Sequence, residues 1–156
     1  MAAPKGYECA TMIDFVGHDF GTSEPLDINQ IRINTFADVT GDHQWIHTNP
    51  DMAKKHSPFG STVAHGFLTL SILAAAIQDT GVVPKDAKGV LNYGVENVRF
   101  LTPVPVDSKI ISSFKLSSVE EKGEGRLLVR VACETKVVGG GDKPAVVAEV
   151  LAMVIA

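Results

Sequence analysis

The chain has 156 residues, of which 45% are apolar and 21% charged, with a formal net charge of −4. That length supports one domain, residues 1–156, with a core of its own and no need of metal or disulfide staples. The acidic balance leaves no basic stripe for nucleic acid, and no run approaches the roughly 18 apolar residues of a membrane span. Cys9 and Cys133 are far apart and form no CxxC pattern, so they read as buried, reduced thiols of an intracellular protein. Residues 1–6 lack the apolar stretch of a secretory signal, and a cytoplasmic location is the expectation.

In chain order, helical signals come first. Asp27 followed by Gln30 reads as an N-cap with a capping-box partner, and Ile28, Ile31, Phe36 and Val39 roughly keep helical spacing behind it. Gly41 ends that helix, as a residue free to take positive φ would. Asn49 and Pro50 start a short second helix as cap and first residue, and Ser57-Pro58-Phe59-Gly60 breaks it near His56. From about Ala64 to Asp79 the run AHGFLTLSILAAAIQD is apolar on nearly every side, which predicts a helix enclosed by other structure.

Strand signals follow. Ile110, Ser112, Phe114 and Leu116 alternate with Ile111, Ser113, Lys115 and Ser117, and Leu127, Val129, Val131 and Cys133 alternate with Leu128, Arg130, Ala132 and Glu134. A period of two marks half-buried strands. Turns fall at Glu121-Lys122-Gly123-Glu124-Gly125 and Gly139-Gly140-Gly141-Asp142. The last strand, 146–155, is apolar on both faces, so a partner is expected on its second face: a symmetric second copy, an extra helix or a long loop. The pattern as a whole predicts an α+β domain, an antiparallel sheet curled around one buried helix.

The stretch richest in chemistry is FADVTGDHQWIH at 36–47. Asp42 and His47 are five residues apart, which on an unbroken helix leaves their side chains about 140° apart. Gly41 before them and Asn49-Pro50 after them predict a loop instead, in which the two can converge. A carboxylate desolvated by Trp45 or Phe59 becomes a better base, and an imidazole relays protons near neutrality. Such a pair can orient one water for addition to an activated double bond. Gly66, near the start of the buried helix, offers unpaired backbone N–H groups to an oxygen gaining negative charge. Each residue also has a plain structural reading. Asp42 serves equally as a turn residue and His47 as a satisfied histidine before a cap, and Gly66 as a close packing contact. His43 and His47 with Asp42 imitate a metal site only on a continuous helix, which the turn signals oppose.

These stretches resemble the MaoC-like (R)-specific enoyl-CoA hydratases of the hot-dog fold, and within them the small single-domain members grouped with nodulation protein N. FADVTGDHQWIHTNP at 36–50, FGSTVAHGFLTLS at 59–71 and LNYGVENVRFLTPVPVDS at 91–108 carry the resemblance. It implies that Asp42 and His47 hydrate trans-2-enoyl-CoA to (R)-3-hydroxyacyl-CoA without metal or redox cofactor. It further implies that the Gly66 amide faces the thioester oxygen, and that the assembly is a homodimer, the family's usual form beside a pseudo-dimer of two fused repeats. An acyl carrier protein in place of coenzyme A fits the same reading. Two departures stand out. Gln44 and Trp45 occupy the places of the family's Asn-Pro between the acid/base pair. Ala74, with Ser71 one turn earlier, falls where some members have a serine. Gln44, Trp45 and Tyr93 are therefore expected to shape substrate preference. A thioesterase on the same scaffold and a non-catalytic acyl-thioester-binding protein are the competing readings.

Overall fold

A computed structural model describes residues 3–156. A short 3-10 helix, Cys9–Phe15, leads into two brief strands, β1 (Asp19–Thr22) and β2 (Leu26–Ile28). Three helices follow, α1 (Gln30–Thr40), α2 (Trp45–Thr48) and α3 (Pro50–His56), then the long α4 (Gly66–Asp79). Four long strands complete the chain: β3 (Gly89–Phe100), β4 (Ser108–Glu121), β5 (Arg126–Val137) and β6 (Val146–Ile155). They form one antiparallel sheet of order β1-β4-β5-β6-β3, with β2 beside β1 on the outer edge of β4.

The predicted alternation is what closes this sheet over α4. On β4 the face Ile110, Ser112, Phe114 and Leu116 is buried, and β5 buries Leu127, Val129, Val131 and Cys133. Register holds the inner faces together, with Phe114 opposite Cys133 and Cys133 opposite Ala148. Bulges at Leu116/Ser118, Asn92/Gly94 and Glu96/Arg99 bend the strands, the local device by which a sheet curls. Leu73, Ala76 and Ile77 of α4 pack into the concave side against Phe114, Val129 and Val150. A second cluster joins Leu68 of α4 to Ile28, Ile33, Val104 and Val146. Each fully buried side chain of this kind contributes roughly 1.5–3 kcal/mol. Both cysteines are buried free thiols, and among the described residues no helix is long and apolar enough to cross a membrane.

Several boundaries differ from expectation. The cap of α1 is Asn29, whose side chain accepts from the Arg32 amide, and Asp27 lies in β2. Pairing of β2 with β4 claims the Asp27 backbone, so the helix starts only after it. The inward face of α1 is Ile33 and Ala37, whereas Ile31 and Val39 are exposed. The segment between Asp42 and Asn49 is only partly loop, because Trp45–Thr48 forms one helical turn. The long helix is enclosed on one side, burying Leu68, Thr69, Leu73, Ala76 and Ile77 while Phe67, Ser71 and Ala75 stay exposed. The most exposed large apolar residues of the sheet are Leu91, Tyr93 and Val95 on the edge strand β3, next to β6, whose second face is largely half-buried.

Candidate active site

Gly41 takes φ +80° and ends α1 in a left-handed residue, so the chain leaves the helix and turns back within two residues. Asp42 sits in that turn with its Oδ1 accepting the Gln44 amide at 3.3 Å. Its side chain is exposed, so the expected desolvation by Trp45 or Phe59 is absent: Trp45 is half-buried at the start of α2, and Phe59 is itself exposed. The α2 turn then swings His47 inward, where it is 8% exposed. Its Nδ1–H donates to the Val63 carbonyl at 2.7 Å. A carbonyl can only accept, so this bond fixes the tautomer and leaves Nε2 with the free lone pair. Burial lowers the His47 pKa below the ordinary 6.5, and the neighbouring His65 lowers it further. The Val63 bond and Asp42 work in the opposite direction. The ring is thus held neutral, with one nitrogen ready to take a proton.

A third residue, His65, completes the cluster. It is 3% exposed, and its ring stacks on His47 with centroids 3.8 Å apart and planes inclined by 26°. Its Nε2–H donates to the Asp42 backbone carbonyl at 2.9 Å. One ligating atom from each of Asp42, His47 and His65 lies within 4.8 Å of the other two. A metal would have to lie in the planes of both rings, about 2 Å from a nitrogen of each. Two nearly parallel rings stacked face to face do not offer that point. His43, the histidine of the metal-like spacing, is exposed and sits 3.8 Å from Asp38.

Gly66 is the first residue of α4 and follows His65 directly, so the Asp42–His47–His65 cluster abuts the helix start. Its amide belongs to the first turn, which has no intrahelical acceptor. A Cβ built there would lie 2.9 Å from the ring of Phe100, so a close packing contact is part of why glycine is present. A pocket of about 230 Å³ opens on this spot, lined by Phe59, Ala64, Gly66, Thr69, Phe100 and Thr102 among others; neither Asp42 nor His47 lines it. Gln44 is exposed, and its carbonyl accepts the His47 amide at 2.9 Å. Tyr93, 62% exposed, lines a separate pocket of about 400 Å³ between α4 and β3, together with Ser71 and Ala74. The sequence reading missed His65 and Phe100. His65 stood in the quoted AHG stretch, but its partners lie 18 and 23 residues upstream, at no spacing that a local pattern encodes.

A single helix wrapped by a curled antiparallel sheet, with an Asp/His cluster at the helix start, defines a hot-dog domain of the dehydratase type. Residues 13–138 match the model of the MaoC like domain, and the chain belongs to that family. It is 42% identical to 3-hydroxyacyl-thioester dehydratase Z of Mycobacterium tuberculosis, over 90% of this chain and 91% of that protein. To nodulation protein N of Rhizobium leguminosarum bv. viciae it is 43% identical, over 72% and 70% of the two chains. The unliganded R-hydratase PhaJ1 from Pseudomonas aeruginosa shares the fold with a TM-score of 0.70 and 25% identity, covering 90% of this chain and 81% of that one.

Proposed function

We propose that this chain is a hydratase/dehydratase that adds water reversibly across the double bond of a trans-2-enoyl thioester, yielding the (R)-3-hydroxyacyl thioester, with coenzyme A as the carrier. Two relatives carry names that describe opposite directions of this reaction, a 3-hydroxyacyl-thioester dehydratase and an R-hydratase. The observation that carries the reading is the convergence of the Asp42 carboxylate with a neutral, tautomer-locked His47.

In the hydration direction, the Asp42 carboxylate and His47 Nε2 each accept one hydrogen of a single water. Asp42 is the principal base. As it takes a proton, the water oxygen bonds to the β-carbon, and the π electrons move to the thioester oxygen as an enolate. The Gly66 amide, at the positive end of α4, stabilises that oxygen. The proton then passes to the α-carbon, so one water is consumed and no other reactant is needed. Gln44, Trp45 and Tyr93 are assigned to substrate contact.

The working unit in this proposal is a homodimer formed along β3. That strand is twelve residues long and, among the described residues, pairs only with β6. Its exposed Leu91, Tyr93 and Val95 make an apolar edge of the kind that monomers usually blunt with charge.

Asp42→Asn and His47→Gln should each lower kcat by about 10²–10⁴-fold in folded protein. The assay follows loss of the enoyl absorbance over a series of enoyl-CoA chain lengths, with chiral analysis of the product. Full activity in both variants would remove the assignment. Release of free thiol without loss of the double bond would instead make the protein a thioesterase.

A further inference from the structure

Resting on this reading of the site, we propose that His65 is a positioning residue that tethers the Asp42-bearing turn to the start of α4 through its Nε2–H bond to the Asp42 carbonyl.

The argument begins from what the ring lacks. His65 is almost fully buried, and its Nδ1 has no hydrogen-bond partner among the described residues. Nε2 must carry the proton, because the Asp42 carbonyl can only accept, so Nδ1 holds a buried and unmatched lone pair. Such a group opposes folding, and where one persists it calls for a reason other than stability. Packing against its aromatic neighbours, Phe36 at 5.0 Å and the His47 ring, would be met by a phenylalanine. What a phenylalanine would not supply is the N–H.

That N–H holds the backbone carbonyl of Asp42 itself. The turn is otherwise secured only by short-range bonds. The Asp42 amide reaches the Thr40 hydroxyl at 3.4 Å, the Gln44 amide reaches Asp42 Oδ1 at 3.3 Å, and the His43 amide reaches the Gly41 carbonyl at 3.2 Å. The Gly41 amide also reaches the Ala37 carbonyl at 2.8 Å, the His47 amide the Gln44 carbonyl at 2.9 Å and the Thr48 hydroxyl the His43 carbonyl at 3.2 Å, and none of these bonds spans more than five residues. The bond from His65, at 2.9 Å, is the one long-range bond of the turn among the described residues and joins Asp42 to the residue before Gly66. The same ring also lies flat against His47. One buried side chain thus sets the spacing between the carboxylate, the imidazole and the helix start. A proton transfer loses rate steeply when such a spacing relaxes.

Two substitutions separate the tether from the ring. His65→Phe keeps a flat ring against His47 and deletes the N–H. His65→Gln deletes the ring and returns an amide N–H at about the reach of Nε2. Expected for H65F is a kcat lowered about 10- to 100-fold, with KM for an enoyl-CoA within about twofold. Its Tm should stay within about 2 °C of wild type, since the unmatched nitrogen is removed along with the bond. Amide exchange of residues 42–45, followed by mass spectrometry, should quicken about tenfold in H65F. H65Q should recover about tenfold of the lost kcat and the slow exchange.

Unchanged kcat and unchanged exchange in H65F would overturn the tether. So would an H65Q variant no better than H65F, or an H65F variant that loses its fold, which would make His65 structural. The exchange measurement needs no substrate. If the wild-type chain hydrates no enoyl thioester, the functional reading fails, and the exchange pattern still decides whether His65 holds the turn.

Discussion

His47 and Asp42 meet from opposite environments, one buried and one in water, and the difference has a consequence in pH. Burial lowers the His47 pKa below 6.5, so between its native pKa and 6.5 the unfolded chain binds more protons than the folded one. The stabilisation linked to this residue is therefore fully present above pH 6.5. It is lost as pH falls through the native pKa. Denaturant unfolding from pH 5 to 8 should show stability rising with pH in that window for wild type, and a flatter profile for H47Q. The neutral ring is also the form with a free Nε2, so the acid limb that His47 gives to hydratase turnover should lie below 6.5. An acid limb above 6.5 that vanished in H47Q would contradict the inward placement of the ring.

The elements show how closely helix and sheet approach at the site. Gly66 begins α4 beneath the ring of Phe100, a residue of β3 that is itself 46% exposed. Gly66→Ala forces that ring aside and should cost about 1–3 kcal/mol, as overpacking does. Phe100→Ala removes the obstacle, so the double variant should lose less than the sum of the two single changes, measured by denaturant unfolding. Strict additivity would show that the glycine is not there for the ring. The ends of α1 and α3 give a different lesson. Gly41 and Asn49-Pro50 stop and start helices by backbone preferences that act within a few residues, and they were legible. Asp27 and Asn29 are both competent caps. The choice between them was made by β4, which draws residues 26–28 into its ladder from 80 to 84 residues away.

At the scale of the molecule, β3 ends the sheet with a row of unsatisfied backbone groups and apolar side chains. Leu91 is paired in register with Met153 of β6 on one side and is open on the other. Leu91→Lys places a charge on that edge without touching the Asp42–His47 cluster. The proposed dimer should weaken at least about tenfold, read as a shift toward monomer in sedimentation velocity. A protein that sediments as a monomer before the change would end the case for this interface. The sequence placed the need for a partner on the last strand, and the most exposed apolar side chains of the sheet lie on β3 directly beside it. The last strand has neighbours on both edges, which pair its backbone but leave its outer face half-buried, continuous with the exposed face of β3.

The sequence by itself determined the class of fold and singled out Asp42 and His47, which the fold brings together. Period-two alternation, a run apolar all round, and glycine and proline punctuation each report a local free-energy preference, which survives whatever the distant chain does. Tertiary structure alone decided the tautomer of His47, the exposure of Asp42, the third histidine and the ring over Gly66. Those depend on contacts between residues 16 to 34 positions apart, as His47 with Val63 and Gly66 with Phe100 are. Such contacts form only once burial of α4 against the curled sheet has fixed both partners in space, and no periodicity along the chain records them.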